Sequence, residues 1–411
     1  MIKQYYKQAL AQLRQHPLIS IIGIVGTALS IFLIMLVVMM QQVKVAPFSP
    51  ESNRNRFLHV HYMSISHKDW GNGTSNGPMS VQTAREVYKS LKAPEAVTVY
   101  CCMTVSTPVS LPGAPAIGAD VRETDDTFFH VFDFQFTDGK PYDEATFTAG
   151  RPVAVITESI SRALFGSIQS VGKEFLLSHA PYRVVGVVKD VSTLADMAYG
   201  QVWIPFTSTN LSNDTWSDNH MGMMSVTLLA HDREDFDEIR AEAKRRMNEY
   251  NSILADQGYT LIDRNRPYDQ ETQSISFAAN LEPDLKAARR ERVIVFIILL
   301  LVPAINLSSM TQSRLRQRVA EIGVRRAFGS TRIEMVGQIV MENLVITLLA
   351  GAIGLLISIL FAYWGTDILF AQPYSVTLNA PTVDSRILLQ PSTFLLSLIH
   401  ISEPTRPLYI S

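Results

Sequence analysis

The chain has 411 residues, more than one hydrophobic core usually organises, so at least two structural parts are expected. Its 47% hydrophobic and 18% charged residues, with a mean hydropathy of +0.12, sit between a soluble domain and a polytopic transporter, so the apolar residues should be concentrated locally. A net charge of −2 offers no basic footprint for nucleic acid, which excludes that partner.

The first concentration is residues 18–40, LISIIGIVGTALSIFLIMLVVMM, which carries no charge and exceeds the ~20 residues that cross a bilayer core. A cleaved signal peptide would have an apolar core of only about 7–15 residues and a small-residue cleavage site, so an uncleaved transmembrane helix is the better reading. Residues 1–17 precede it as a mildly amphipathic helix. Its Lys3, Lys7 and Arg14 put the N-terminus in the cytoplasm and Met40 at the exterior side.

Residues 41–291 follow, and a segment of about 250 residues is far too long for a connection, so it must fold as an exterior domain. FLHVHY from Phe57, RPVAVI from Arg151, YRVVGVV from Tyr182, VWIPF from Val202 and MSVTLLA from Met224 predict strands. SVQTAREVYKSLK from Ser80, opening on an N-cap, and DFDEIRAEAKRRMNEY from Asp235 predict helices. The domain is therefore mixed α and β.

His59 and His61 would share one face if FLHVHY were a strand throughout, with His67 nearby. No third or fourth ligand follows at a metal-site spacing, so a solvent-facing or hydrogen-bonded pair is expected. The vicinal Cys101 and Cys102 do not suit an ordinary disulfide and read as small apolar residues of a strand. GSIQSVGKE from Gly166 misses a phosphate-binding loop, because its spacing is off and Glu174 stands where the magnesium-binding Ser or Thr belongs. No catalytic residue and no metal ligand is assigned, and any ATP hydrolysis must come from another polypeptide. From Glu282, EPDLKAARRERVIVFII has no breaker after Pro283. It predicts a stalk helix continuing into the next apolar run, where a loose tether would need Gly and Ser.

Residues 292–311 and 343–364 are the second and third spans; Pro303 in the second is tolerated as a kink. Lys286, Arg289, Arg290 and Arg292 lie on the exterior side. Arg314, Arg316, Arg318, Arg325, Arg326 and Arg332 lie between the spans, and this larger cluster makes residues 312–342 cytoplasmic.

Within that cytoplasmic stretch the residues Arg318, Glu321, Ile322, Gly323, Val324, Arg325, Arg326, Ala327, Phe328, Gly329 and Ser330 match, in order, R-x-x-E-I-G-[IV]-[RK]-[RK]-A-[LF]-G-[AS]. That pattern resembles the conserved cytoplasmic segment of MacB/FtsX-like permeases. Apart from the family, arginines on one face and Val319, Ile322 and Ala327 on another suit a helix at the membrane surface. Its apolar side would face the bundle and its cationic side a partner, with Gly329 and Ser330 as stop and restart. More weakly, DDTFFHVFDFQFTDGKPY, GRPVAVITESISRALFGSIQSVGKEF, YRVVGVVKDV and VWIPF are similar to segments of the MacB-type periplasmic core domain.

The resemblance implies a membrane α-helical bundle with a large mixed α+β extracytoplasmic domain inserted between spans one and two, in the bacterial inner membrane. It implies a permease subunit of an ABC transporter with no cofactor of its own, ATP and Mg belonging to a separate ATPase subunit docked at residues 318–330. It further implies a homodimer or heterodimer of permeases, contacts with membrane lipids, a periplasmic adaptor as a further partner, and mechanotransmission in export or efflux. The alternative is a membrane-anchored sensor or FtsX-like regulator of cell-wall hydrolases without transport.

The family also implies a periplasmic loop, here residues 365–390, and a fourth span, which PSTFLL from Pro391 begins over residues 391–395. Residues 396–411 include LSLIHISEPTR, which looks like the translation of a transposase adapter used in preparing sequencing libraries. The expectation is a lost fourth span. It leaves the small residues Ala350, Gly351, Ala352 and Gly354 of the third span without the helix they should pack against, and an inactive chain.

Overall fold

The computed structural model describes residues 17–364. The expected N-terminal helix up to residue 16, the 365–390 loop, the fourth span and the adapter-like tail lie outside the described residues. The described chain divides into two units, a helical one and an α/β one that covers Val43–Leu285.

Among the described residues three helices are long and apolar enough to cross a membrane: α1 (Pro17–Val45), α3 (Leu285–Gln317) and α5 (Arg332–Trp364). α1 runs past the apolar core read from the sequence at its C-terminal end, α3 at both ends and α5 at its N-terminal end, because the flanking polar residues keep good helix propensity. Pro303 sits inside α3, which remains one helix from Leu285 onward.

The α/β unit is built on strands β1 (Phe57–Val60), β2 (Met63–His67), β3 (Thr74–Gly77), β4 (Ala96–Cys101), β5 (Val105–Ser110), β6 (Ile117–Thr124), β7 (Phe136–Gly139), β8 (Val153–Thr157), β9 (Glu174–Leu177), β10 (Ala180–Val188), β11 (Val202–Pro205), β12 (Met224–Leu229), β13 (Tyr259–Ile262) and β14 (Tyr268–Asp269). Strands β11, β8, β10, β9, β5 and β6 pair in that order, and β6 pairs back to β11, so these strands close into a ring. From β6 the sheet continues through β4, β12 and β1 to β14. Alternate residues such as Ala154, Ile156, Val202 and Ile204 form a buried apolar cluster with Ala119 and Val121, as the two-residue strand period requires.

The second core lies between the β12 and β1 end of that sheet, the small β13-β2-β3 sheet and helix α2 (Phe236–Leu254). Helix α2 buries Phe236, Ile239, Ala243, Met247, Tyr250 and Leu254, one stripe of a 3.6-residue period, against this core. Ser80 caps its helix as expected, its hydroxyl accepting from the Thr83 amide at 3.1 Å. Beyond Thr83, however, the chain widens into a π-helical stretch over Ala84–Lys89. The buried positions Ala84, Val87 and Tyr88 fit an α period equally well, so nothing in the sequence pattern signals the change.

Three local expectations are settled here. Strand β1 ends at Val60, so His59 and His61 do not share a strand face. His59 is fully buried, bonded to Thr227 Oγ1 at 3.1 Å and Gln270 Oε1 at 2.9 Å, and half-buried His61 lies against Met197. Cys101 closes β4 as a buried free thiol beside free Cys102. Gly166 caps a helix in the left-handed region and Glu174 opens β9, a helix–turn–strand order opposite to that of a phosphate-binding loop.

Candidate functional site

The matched segment folds as helix α4 (Val319–Ala327), with Arg318 as its N-cap residue. It stops at Gly329, whose φ of +91° is one that only glycine adopts without strain. The Gly329 amide donates to the Arg326 carbonyl and the Ser330 amide to the Arg325 carbonyl, both at 3.1 Å. Helix α5 then restarts through a reciprocal cap. The Thr331 amide donates to Glu334 Oε2 at 3.0 Å and the Glu334 amide to Thr331 Oγ1 at 3.3 Å.

Glu321 is bracketed by cations at helical spacing, with Arg318 Nε at 3.4 Å and Arg325 Nη2 at 2.7 Å. Arg325 also donates to Gln338 Oε1 at 2.9 Å, which ties α4 to α5. The expected packing of the apolar side is only partly realised. Ile322 is half-buried, but Val319 and Ala327 are exposed, together with Val324 and Phe328, the latter 88% exposed. A nine-residue helix cannot turn all of Val319, Ile322 and Ala327 toward one neighbour, because Val319 falls between the other two around the helix and Ile322 and Ala327, five residues apart, point in widely separated directions.

Among the described residues, part of the small face of α5 lies against α1. Gly354 packs on α1 so closely that a Cβ there would lie 2.7 Å from the Ala28 carbonyl oxygen and 3.1 Å from Ile31. Ala350, Gly354 and Ser358 are buried on one face and Gly351 borders it, whereas Ala352 is exposed on another. Close approach of helix backbones through small residues is the usual membrane solution. Gly354→Leu is expected to cost about 1–3 kcal/mol by overpacking, read as a lower thermal midpoint of the detergent-solubilised chain. Ala352→Leu should leave the midpoint unchanged, and equal effects would remove Gly354 from the contact.

Two polar contacts complete the helical unit. Asn306 Nδ2 of α3 reaches the Gly23 carbonyl at 3.4 Å and Thr27 Oγ1 at 3.3 Å on α1, and Thr311 Oγ1 of α3 donates to Asn343 Oδ1 of α5 at 3.1 Å. Sequence reading passed over Asn306, although a carboxamide amid an apolar span was itself the signal.

The end of α1 carries a further cluster that had no sequence signature. Arg54, 3% exposed, donates from Nε to Glu51 Oε2 at 2.7 Å, from Nη1 to the carbonyls of Val43 and Ala46 at 2.6 and 3.1 Å, and from Nη2 to that of Leu194 at 2.9 Å. Glu51, fully buried, accepts the amides of Met197 and Ala198 at 2.9 and 3.0 Å. Gln270 Nε2 takes the Lys44 carbonyl at 2.8 Å. The carbonyls of Val43 and Lys44 in the last turn and of Ala46 just beyond it are thus satisfied, and a cation sits where the helix dipole favours one.

The family described as MacB-like periplasmic core domain matches residues 18–246, and that described as FtsX-like permease C-terminal matches residues 293–401. The chain is 20% identical over 361 residues to the uncharacterized ABC transporter permease YknZ of Bacillus subtilis (strain 168), covering 85% of this chain and 83% of that protein. It is 23% identical over 252 residues to the macrolide export ATP-binding/permease protein MacB of Escherichia coli (strain K12), covering 60% of this chain but only 36% of that relative. The crystal structure of the periplasmic region of MacB from Actinobacillus actinomycetemcomitans aligns with a TM-score of 0.34 at 19% identity, over 49% of this chain and 88% of that one.

Proposed function

The chain belongs to the ABC transporter permeases with a MacB-like periplasmic core domain and an FtsX-like permease region, and from that premise we propose that it is a permease subunit acting by mechanotransmission. In this reading a separate ATPase subunit, with its ATP and Mg, docks on α4 and the turn after it. Its nucleotide-driven closure is carried through α1 and α3 to the α/β unit, which works in the periplasm on an exported or effluxed substrate. The chain resides in the inner membrane, pairs with a second permease as homodimer or heterodimer, and engages a periplasmic adaptor.

The observation that carries this reading is the exposed surface of α4. Phe328 and Val324 stand open beside a Glu321 held by Arg318 and Arg325, an apolar anchor within an ordered charge pattern of the kind that protein interfaces bury. α3 runs as one helix from Leu285, and the Val43 and Ala46 carbonyls at the end of α1 are capped by Arg54.

Glu321→Lys places three cations where two now bracket an anion. The expected result is normal membrane insertion but loss of most stimulated ATPase activity when the chain is reconstituted with its ATPase subunit. Phe328→Ala should weaken co-purification of that subunit, because a buried aromatic anchor commonly contributes about 2 kcal/mol or more to an interface. Unchanged ATPase stimulation by both variants would move the docking site away from α4.

A further inference from the structure

The closed ring of six strands has an open mouth with an acid inside it. A cavity of about 350 Å³ lies there, with Val105 on β5, Val121 and Glu123 on β6, Tyr182 on β10, Ile204 on β11 and Leu211 beyond β11 among its lining residues. Ala119, Val121 and Glu123 follow one another at the two-residue period, and the first two belong to the ring's buried apolar cluster. Glu123 therefore places a carboxyl at a register position where the preceding residues are apolar.

Its protein hydrogen bond among the described residues comes from Thr209 Oγ1 to Oε2. The titratable groups lining the cavity are Glu123, Cys101 on β4 and Tyr182; among the described residues no Lys, Arg, His or Asp lines it. Burial pushes the Glu123 carboxyl up to about 7, against the lowering effect of the Thr209 bond. A carboxylate set among apolar walls with no cation to pair with is stabilised by a ligand that brings the cation and an apolar body. Cavities of this size at the mouth of a strand ring are common places for small ligands.

We propose that the mouth of the ring binds a small organic ammonium ion, its cation on Glu123 and its apolar group between Val105, Ile204 and Leu211. An anion is repelled by the same carboxylate, and a neutral isostere forfeits the ion pair.

The test uses the full chain in detergent at pH 8 and isothermal titration calorimetry with benzylammonium, benzyl alcohol and benzoate. Benzylammonium should bind, benzyl alcohol at least tenfold more weakly, and benzoate not at all. Glu123→Gln should weaken benzylammonium at least tenfold and bring it level with benzyl alcohol. Val105→Arg, at a position 53% exposed and so tolerant of a long side chain, should also abolish benzylammonium binding without lowering the thermal midpoint. Absence of benzylammonium binding to the unaltered chain, or equal affinity for Glu123→Gln, Val105→Arg and the unaltered chain, overturns the proposal.

Discussion

Arg54→Ala will lower the stability of the α/β unit by about 3–5 kcal/mol, the usual consequence of leaving one member of a buried ion pair without its partner. Glu51 would keep the two amides of Met197 and Ala198 but lose the cation that pairs with it, and the carbonyls of Val43, Ala46 and Leu194 would lose the guanidinium that donates to them. Such a loss is a large share of the roughly 5–15 kcal/mol that holds a typical domain together. Thermal melts of the solubilised chain should show it, and protease should reach the segment after α1 first. The double variant Arg54→Met with Glu51→Gln should be milder than Arg54→Ala, since it removes both charges together. A change below about 1 kcal/mol for Arg54→Ala would mean that the guanidinium is merely tolerated there.

Acidification is the second large effect, and it acts through His59. Burial, reinforced by the neighbouring His61 and Arg54, pushes the His59 imidazole from 6.5 down to about 3. Because Gln270 Oε1 can only accept, His59 is the neutral tautomer with its proton on Nε2, while Nδ1 accepts from Thr227. The unfolded chain takes up a proton below about pH 6.5 and the folded chain does not until about pH 3, so stability is fully present above 6.5 and falls with pH between those values. The loss should reach about 2 kcal/mol by pH 5. His59→Gln, which cannot titrate, should flatten that limb between pH 6.5 and 5. If the unaltered chain melts at the same temperature at both pH values, the buried neutral imidazole is wrong. Half-buried His61 is shifted in the same direction by burial and steepens the same limb.

The two effects are linked through the bonding of Gln270, which holds the Lys44 carbonyl with its nitrogen and His59 with its oxygen. The last turn of α1, the Arg54 cluster and strand β1 thus belong to one polar network within the α/β unit. In the proposed mechanism, Arg54→Ala should reduce transport coupling more than basal ATP hydrolysis by the partner.

What the sequence determined by itself rests on local chemistry. Uncharged runs longer than a bilayer core fix the three long apolar helices, because each helix satisfies its own backbone hydrogen bonds whatever surrounds it. Apolar alternation from Arg151, Tyr182, Val202 and Met224 fixes strands, and the order Arg318 to Ser330 fixes a helix, its Glu321 pairings at i−3 and i+4, and a glycine stop. Tertiary structure decided what depends on residues far apart in the chain. The pairing of β6 with β11 closes a ring and turns an unremarkable Glu123 into an acid at its mouth. Arg54 gains its meaning only when carbonyls at residues 43, 46 and 194 converge on it. The small face of α5 could be recognised in the sequence, but its partner could not. A helix period shows which residues share a face, whereas the neighbour on that face is set by the packing of whole helices, here Ala28 and Ile31 of α1 against Gly354.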